Sequence, residues 1–114
     1  STETADRQYG RRPGRRDQAR LAEVGPRSAV AELDLGEVAW IGVIGLREDI
    51  TRGQIVESHA IEVLDAGDWR VVAAGTTIGY RRLHCVPMVA ARRVRVRIRT
   101  LGAPRTVDVY LYRG

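Results

Sequence analysis

The stretch Arg93-Val94-Arg95-Val96-Arg97-Ile98-Arg99 alternates a guanidinium with an aliphatic side chain at every step. A β-strand sends successive side chains to opposite faces, so this pattern specifies a strand with one wet face and one buried face. Wound into a helix, the same residues would scatter the four arginines around the axis and leave no apolar stripe. The segment therefore belongs to an antiparallel sheet packed on one side.

The same period recurs along the chain. Val107, Val109 and Leu111 alternate with Asp108, Tyr110 and Tyr112, and Ala31, Leu33 and Leu35 alternate with Val30, Glu32 and Asp34 before Gly36 closes that strand. Trp40 to Leu46 is apolar apart from Gly42 and Gly45, too short for a typical helix, and reads as a buried strand. In Val56 to Leu64, His59, Ile61 and Val63 share the inner face, whereas Glu57 and Glu62 belong to the solvent side. Asp65-Ala66-Gly67-Asp68 is a hairpin turn, with Trp69 to Ala74 as the returning strand. Gly75 to Gly79 connects to a strand from Tyr80 to Val86 that Pro87 ends, and Gly102-Ala103-Pro104 turns the last hairpin.

Seven short strands with regularly spaced turns imply an all-β fold, an antiparallel β-sandwich or jelly roll. Its expected core is Leu33, Leu35, Ile61, Val63, Trp69, Val94, Val96, Ile98, Val107, Val109 and Leu111. The chain contains no Phe and one Met, so Val, Ile, Leu and Ala must fill that core. With 114 residues it suits one domain, large enough to be stable without staples.

Residues 1–27 break the pattern. They carry seven arginines and two Pro/Gly pairs, Pro13-Gly14 and Gly25-Pro26, with only scattered apolar residues such as Tyr9, Leu21 and Val24. This segment reads as a basic, poorly ordered arm or linker, with at most a helical turn or two over Asp17 to Val24, ahead of a sandwich at residues 28–114. The pairs Arg11-Arg12 and Arg15-Arg16 would contact phosphates weakly and without specificity.

Charge and chemistry narrow the function. All 19 basic residues are arginine and the net charge is +5, a composition expected of GC-rich codon usage rather than of a nucleic-acid surface. The lone Cys85 excludes an intrachain disulfide and sits among Leu83, Val86 and Met88 as an inert thiol. No apolar run reaches the roughly 18 residues of a membrane helix, and the N-terminal residues show no signal-peptide pattern. His59 and His84 lack companions at metal-ligand spacing, Gly75-Thr76-Thr77-Ile78-Gly79 lacks the lysine of a phosphate-binding loop, and Ser28 and Ser58 lack a nucleophile elbow. Glu48 and Asp49 are sequence neighbours that point apart, and Asp65 to Asp68 supplies too few oxygens for calcium. The expectation is a chain with no catalytic residues, no metal and no cofactor.

Four motifs occur in order: LREDITRGQ from Leu46 to Gln54 with Val56-Glu57-Ser58 after it, Trp69 in a hairpin, GTTIGYRRL from Gly75 to Leu83, and ARRVRVRI from Ala91 to Ile98. In this the chain resembles the C-terminal β-sandwich of bacterial α-L-fucosidases of glycoside hydrolase family 29, over Ala31 to Tyr112, about seven-tenths of its length. The resemblance implies a galactose-binding-like, discoidin-type sandwich serving as a non-catalytic accessory domain. Its partner would be a (β/α) barrel, absent from this chain, that holds the nucleophile and the general acid.

The motif residues suggest structural roles. Thr76 and Thr77 are expected to fix their loop through backbone hydrogen bonds, and Glu48 and Asp49 to pair with Arg81 or Arg82. Glu48, Asp49, Gln54, Thr76, Thr77, Tyr80, Arg81 and Arg82 are thus the candidates for an interface or for bracing the two loops. Two other readings stand beside this one. A free-standing lectin-like module would contact fucosylated glycans through Tyr110, Tyr112 or Tyr80, and a basic β-surface would bind single-stranded nucleic acid through Arg93, Arg95, Arg97 and Arg99.

Overall fold

The computed structural model describes residues 14–49, 55–102 and 106–113. Seven strands make it up: β1 (Arg15–Arg20), β2 (Ala22–Gly25), β3 (Ser28–Glu48), β4 (Val56–Asp65), β5 (Asp68–Gly75), β6 (Arg82–Thr100) and β7 (Thr106–Tyr112). All pairings are antiparallel, in the order β1-β7-β3-β6-β4-β5 with β2 also on β3.

The β-rich reading holds, but the strands are divided differently. Gly36 does not end a strand and neither does Pro87: β3 runs for 21 residues and β6 for 19, each fusing two expected strands. A straight strand of 21 residues would measure about 69 Å, yet the longest dimension of the molecule is 37 Å. Both strands must therefore bend. Their pairing is irregular between Asp34 and Ala39 and again between Ile41 and Val43, where Gly36 takes a φ of 83° and its N–H donates to Asp34 Oδ1 at 2.9 Å. Such bulges turn a strand from one layer into the next. Pro87 falls between Cys85 and Val89, inside the second irregular stretch, where the missing N–H is tolerated.

The bend folds one continuous sheet into two layers. Residues 28–35 of β3 and 93–100 of β6 lie with β2, β4 and β5, while the other halves of β3 and β6 lie with β1 and β7. Ala31, Ile61, Val63, Val94, Val96 and Ile98 from the first layer join Ile44, Leu46, Val107, Val109 and Leu111 from the second in one buried cluster. The shortest dimension, 21 Å, suits two sheets about 10 Å apart. Of the expected core, Leu33 is only partly buried, and Trp69 is partly buried outside the cluster.

Residues 15–25, read above as part of an arm, are β1 and β2. Asp17 to Val24 is thus strand and not helix, because β1 needs only Ala19 to reach the core while backbone pairing with β7 does the rest. Gly25-Pro26-Arg27-Ser28 makes the β2–β3 turn, with Arg27 at a φ of 78°. The pair Arg11-Arg12 and Tyr9 lie outside the described residues, as does Pro104.

Val96 is 1% exposed at the centre of this core. Val96→Asp should prevent folding, since an unpaired buried carboxylate costs several kcal/mol, comparable to the whole stability of a small domain. Arg99→Asp, on the opposite face of β6, should shift stability by less than about 0.5 kcal/mol. Far-UV circular dichroism of both variants during urea unfolding checks the facing assignment, which equal damage would overturn.

Candidate functional site

The two motif-bearing loops meet at Glu48, the last residue of β3 and 4% exposed. Its Oε1 accepts from Gly79 N at 2.7 Å, and Oε2 accepts from Ile55 N at 3.1 Å and Val56 N at 3.3 Å. Its own N–H donates to Gly79 O at 3.0 Å. Gly79 has a φ of 65°, which turns the chain so that both of its backbone groups face Glu48. Ile78, 3% exposed, anchors the same loop in the core. The expected partners Arg81 and Arg82 are therefore not those of Glu48: three backbone N–H groups satisfy it instead, as a buried carboxylate requires.

The other candidates separate. Thr76 contributes its carbonyl, Thr77 and Asp49 are exposed, and Gln54 lies outside the described residues. Tyr80 is 62% exposed. Arg81 stacks over the Tyr110 ring at 5.3 Å from its centroid, and Arg16 approaches the same ring at 5.7 Å. Gly45 makes room for this ring, because a Cβ there would lie 3.3 Å from Tyr110 Cβ and 3.0 Å from Leu83 Cδ2. Tyr110 and Tyr112 are 1% and 2% exposed, so neither presents a ring face to a glycan. Of the three tyrosines named for sugar contact, only Tyr80 is at the surface.

Tyr80 overlooks an open cleft of about 340 Å³ lined by Gln18, Arg47, Glu48, Asp49, Thr106 and Asp108. Asp108 is held there by Arg47, with Nη2 at 2.7 Å and Nε at 3.1 Å, and by Arg16 at 3.7 Å. Donating to the Asp108 carboxylate raises the Arg47 pKa.

His59 and His84 form a pair that the spacing of 25 residues did not reveal. Their Nε2 atoms are 2.8 Å apart, and His59 Nδ1 is 2.6 Å from Thr76 O. A carbonyl only accepts, so His59 carries a proton on Nδ1, and when its ring is neutral its Nε2 accepts from the Nε2–H of His84. Burial lowers both pKa values, and Arg82 adds to the effect in each. Gly75 is required beside them, because a Cβ would fall 2.9 Å from His59 Cε1. Among the described residues, no three His, Cys, Asp or Glu side chains gather into a metal-binding group.

The arginine row on β6 is largely compensated. Arg93 pairs with Glu32 at 3.1 Å and Asp34 at 3.6 Å, and Arg97 lies 3.9 Å from Glu62. Arg95 grips Glu62 with bonds of 3.0 and 3.1 Å and covers the Trp69 ring at 4.3 Å. Glu62, expected at the solvent side, is 6% exposed beneath these contacts. Trp69, expected as a core anchor, sits on the outer face as the platform for Arg95, an arrangement a strand reading alone does not distinguish from burial.

No family model matches the chain. A protein of Oryza sativa subsp. japonica named as α-L-fucosidase 1 is 40% identical over 65 residues, 57% of this chain and 13% of its own length. A crystal structure of an α-L-fucosidase homologue from Bacteroides ovatus superposes with a TM-score of 0.71 at 34% identity, over 96% of this chain and 19% of that one. A Ruminococcus gnavus glycoside hydrolase family 29 fucosidase superposes with a TM-score of 0.65 at 25% identity, over 82% of this chain and 19% of its own. The chain thus spans a fifth or less of the length of these relatives. It also shares its fold with a chitosan-binding module of a Paenibacillus chitosanase/glucanase, at 18% identity and a TM-score of 0.61.

Two measurements follow. Glu48→Ala should cost about 3 kcal/mol by urea unfolding, because it strands three backbone donors, whereas exposed Tyr80→Ala should cost less than about 0.5 kcal/mol. The unfolded chain binds protons on histidine near pH 6.5, which the folded pair resists. Stability from this pair is therefore complete above about pH 6.5 and lost as pH falls towards the lowered folded pKa values. Melting temperatures between pH 8 and pH 5 should show that loss, and His84→Gln, which retains an N–H for His59, should reduce it.

Proposed function

We propose, from its likeness to the β-sandwich part of glycoside hydrolase family 29 enzymes, that this chain is a non-catalytic accessory domain of an α-L-fucosidase, packed against a catalytic barrel. The observation that carries this reading is the alignment of 96% of the chain with 19% of the Bacteroides ovatus protein at 34% identity. Its carboxylates fit the reading. Glycoside cleavage with retention needs two carboxyl groups about 5 Å apart across the scissile bond. Here the buried acids have structural partners: Glu48 holds backbone N–H groups, Glu62 holds Arg95, and Asp108 holds Arg47. Glu48 acts as a brace that ties the start of β4 at Ile55 and Val56 to the turn at Gly79.

A second reading, sugar contact by the same domain, draws on the cleft beneath Tyr80. An exposed aromatic ring next to carboxylate, amide and guanidinium groups offers a sugar both stacking and hydrogen bonds. Fucosylated glycans are the ligand class this reading names.

The purified chain should release no aryl from aryl α-L-fucosides. Substituted for the native sandwich of the Bacteroides ovatus protein, it should melt with the remainder of that protein in a single transition. Turnover by the isolated chain, or two independent transitions in the graft, would overturn the accessory-domain reading.

A further inference from the structure

Trp40 stands where the apolar run from Trp40 to Leu46 led us to expect burial, and it is 55% exposed. It is not alone. Val38 is 65% exposed and Met88 is 52% exposed, and Ala90, the cross-strand partner of Trp40, is exposed too. Met88 follows the same edge, its Cε 3.4 Å from where a Cβ of Gly42 would stand, beside the Arg113 carbonyl that covers that glycine. Val38, Trp40, Met88 and Ala90 thus make one apolar surface at the bend of β3 and β6. Single exposed aliphatics are ordinary, but a Trp–Met–Val group on a small domain marks a contact surface.

The strand order leaves this surface open. β7 pairs with β3 only from Val43 onward, so the Val38–Trp40 segment has no β7 beside it. Arg15 Nη1 reaches past the end of β7 to donate to Leu35 O at 2.8 Å, and the Arg113 carbonyl sits over Gly42, so these residues flank the surface while Val38 and Trp40 stay exposed. In the Bacteroides ovatus protein this chain matches only 19% of the length, so a neighbour large enough to cover such a surface is present there.

We propose that the surface formed by Val38, Trp40, Met88 and Ala90 is the docking site for the catalytic barrel of an α-L-fucosidase, which covers it with an apolar face of its own. This rests on the accessory-domain reading above and adds where the contact lies. The motif loops are elsewhere: Trp40 and Glu48 are eight residues apart on β3, about 26 Å along an extended strand. The barrel contact is accordingly at the bend, and the Glu48 loops brace the far end.

The graft into the Bacteroides ovatus protein tests this. Trp40→Ser with Met88→Ser should leave the isolated chain's melting temperature within about 2 °C, since both side chains are exposed, but lower that of the graft by about 5 °C or more. Iodide quenching of Trp40 fluorescence, read in a Trp69→Phe background, should be strong in the isolated chain and weak in the graft. Four results overturn the proposal. If the graft is unaffected by these substitutions while Tyr80→Ala lowers its melting temperature, the barrel contact is at the loops and the accessory-domain reading survives. If the isolated chain sediments as a dimer that Trp40→Ser dissociates, or if Trp40 is shielded in the monomer by residues 1–13 and released by their removal, the occupant is a second copy or the chain's own segment. If the unsubstituted graft melts in two independent transitions, the accessory-domain reading fails together with the proposal.

Discussion

The pairing of β3 with β6 is the constraint on which the rest of the molecule depends. Each strand is longer than the molecule can hold straight, so both must turn, and because they are paired they turn together. One long antiparallel pair thereby supplies the middle of both layers, and every other strand is added to one end of it. β4 and β5 extend one layer, and β7 and β1 extend the other. The alternation of β6 fits this scheme: Val94, Val96 and Ile98 face inward only because β3 pairs with them in register from Ser28 to Asp34. A one-residue slip would put the arginines into the core.

The bend has chemical consequences at both ends. Where β3 ends, the sheet must close over polar backbone from two loops, and a carboxylate is suited to that task because it accepts several N–H bonds at once. Glu48 does this for Ile55, Val56 and Gly79. Nearby, His59 enters the inner face of β4, where an aliphatic residue would leave the Thr76 carbonyl without this donor. The imidazole satisfies it and transfers the demand for a donor to His84. The two polar junctions therefore secure the Gly75–Gly79 connection from opposite sides, and Gly75 and Gly79 are needed for different reasons: close approach of a ring at the first and a left-handed backbone at the second.

Much of the fold was legible because period-two patterning reports faces directly. The inward set of β6 and β7 follows from it, and the Asp65–Asp68 turn from its residue types, though not the left-handed backbone that Ala66 adopts there. Strand identity was less legible, because Gly36 and Pro87 carry the composition of strand ends while serving as bulges within continuous strands. β1 and β2 escaped for another reason: an edge strand held by backbone pairing needs few apolar residues, and β1 buries only Ala19. At the candidate site, the Gly75–Gly79 connection was legible from its glycines, but the partner of Glu48 was not. Backbone N–H groups have no letter in the sequence, whereas the arginines beside them suggested an ion pair. The outer-face position of Trp69 was hidden in the same way, since its partner Arg95 is 26 residues away.

The distribution of charge over the two layers separates structural arginines from available ones. Arg93 and Arg95 are engaged by Glu32, Asp34 and Glu62, Arg47 and Arg16 by Asp108, and Arg81 by the face of Tyr110. A net charge of +5 therefore overstates the field that a polyanion would meet on the first layer. Single-strand recognition also relies on open aromatic rings between cations, and the ring on that layer, Trp69, is covered by Arg95. Among the described residues, the aromatic rings that remain open, Trp40 and Tyr80, are instead at the two ends of the bent strand pair, one in an apolar setting and one in a polar setting. A surface built this way suits burial against a neighbour at one end and contact with water at the other.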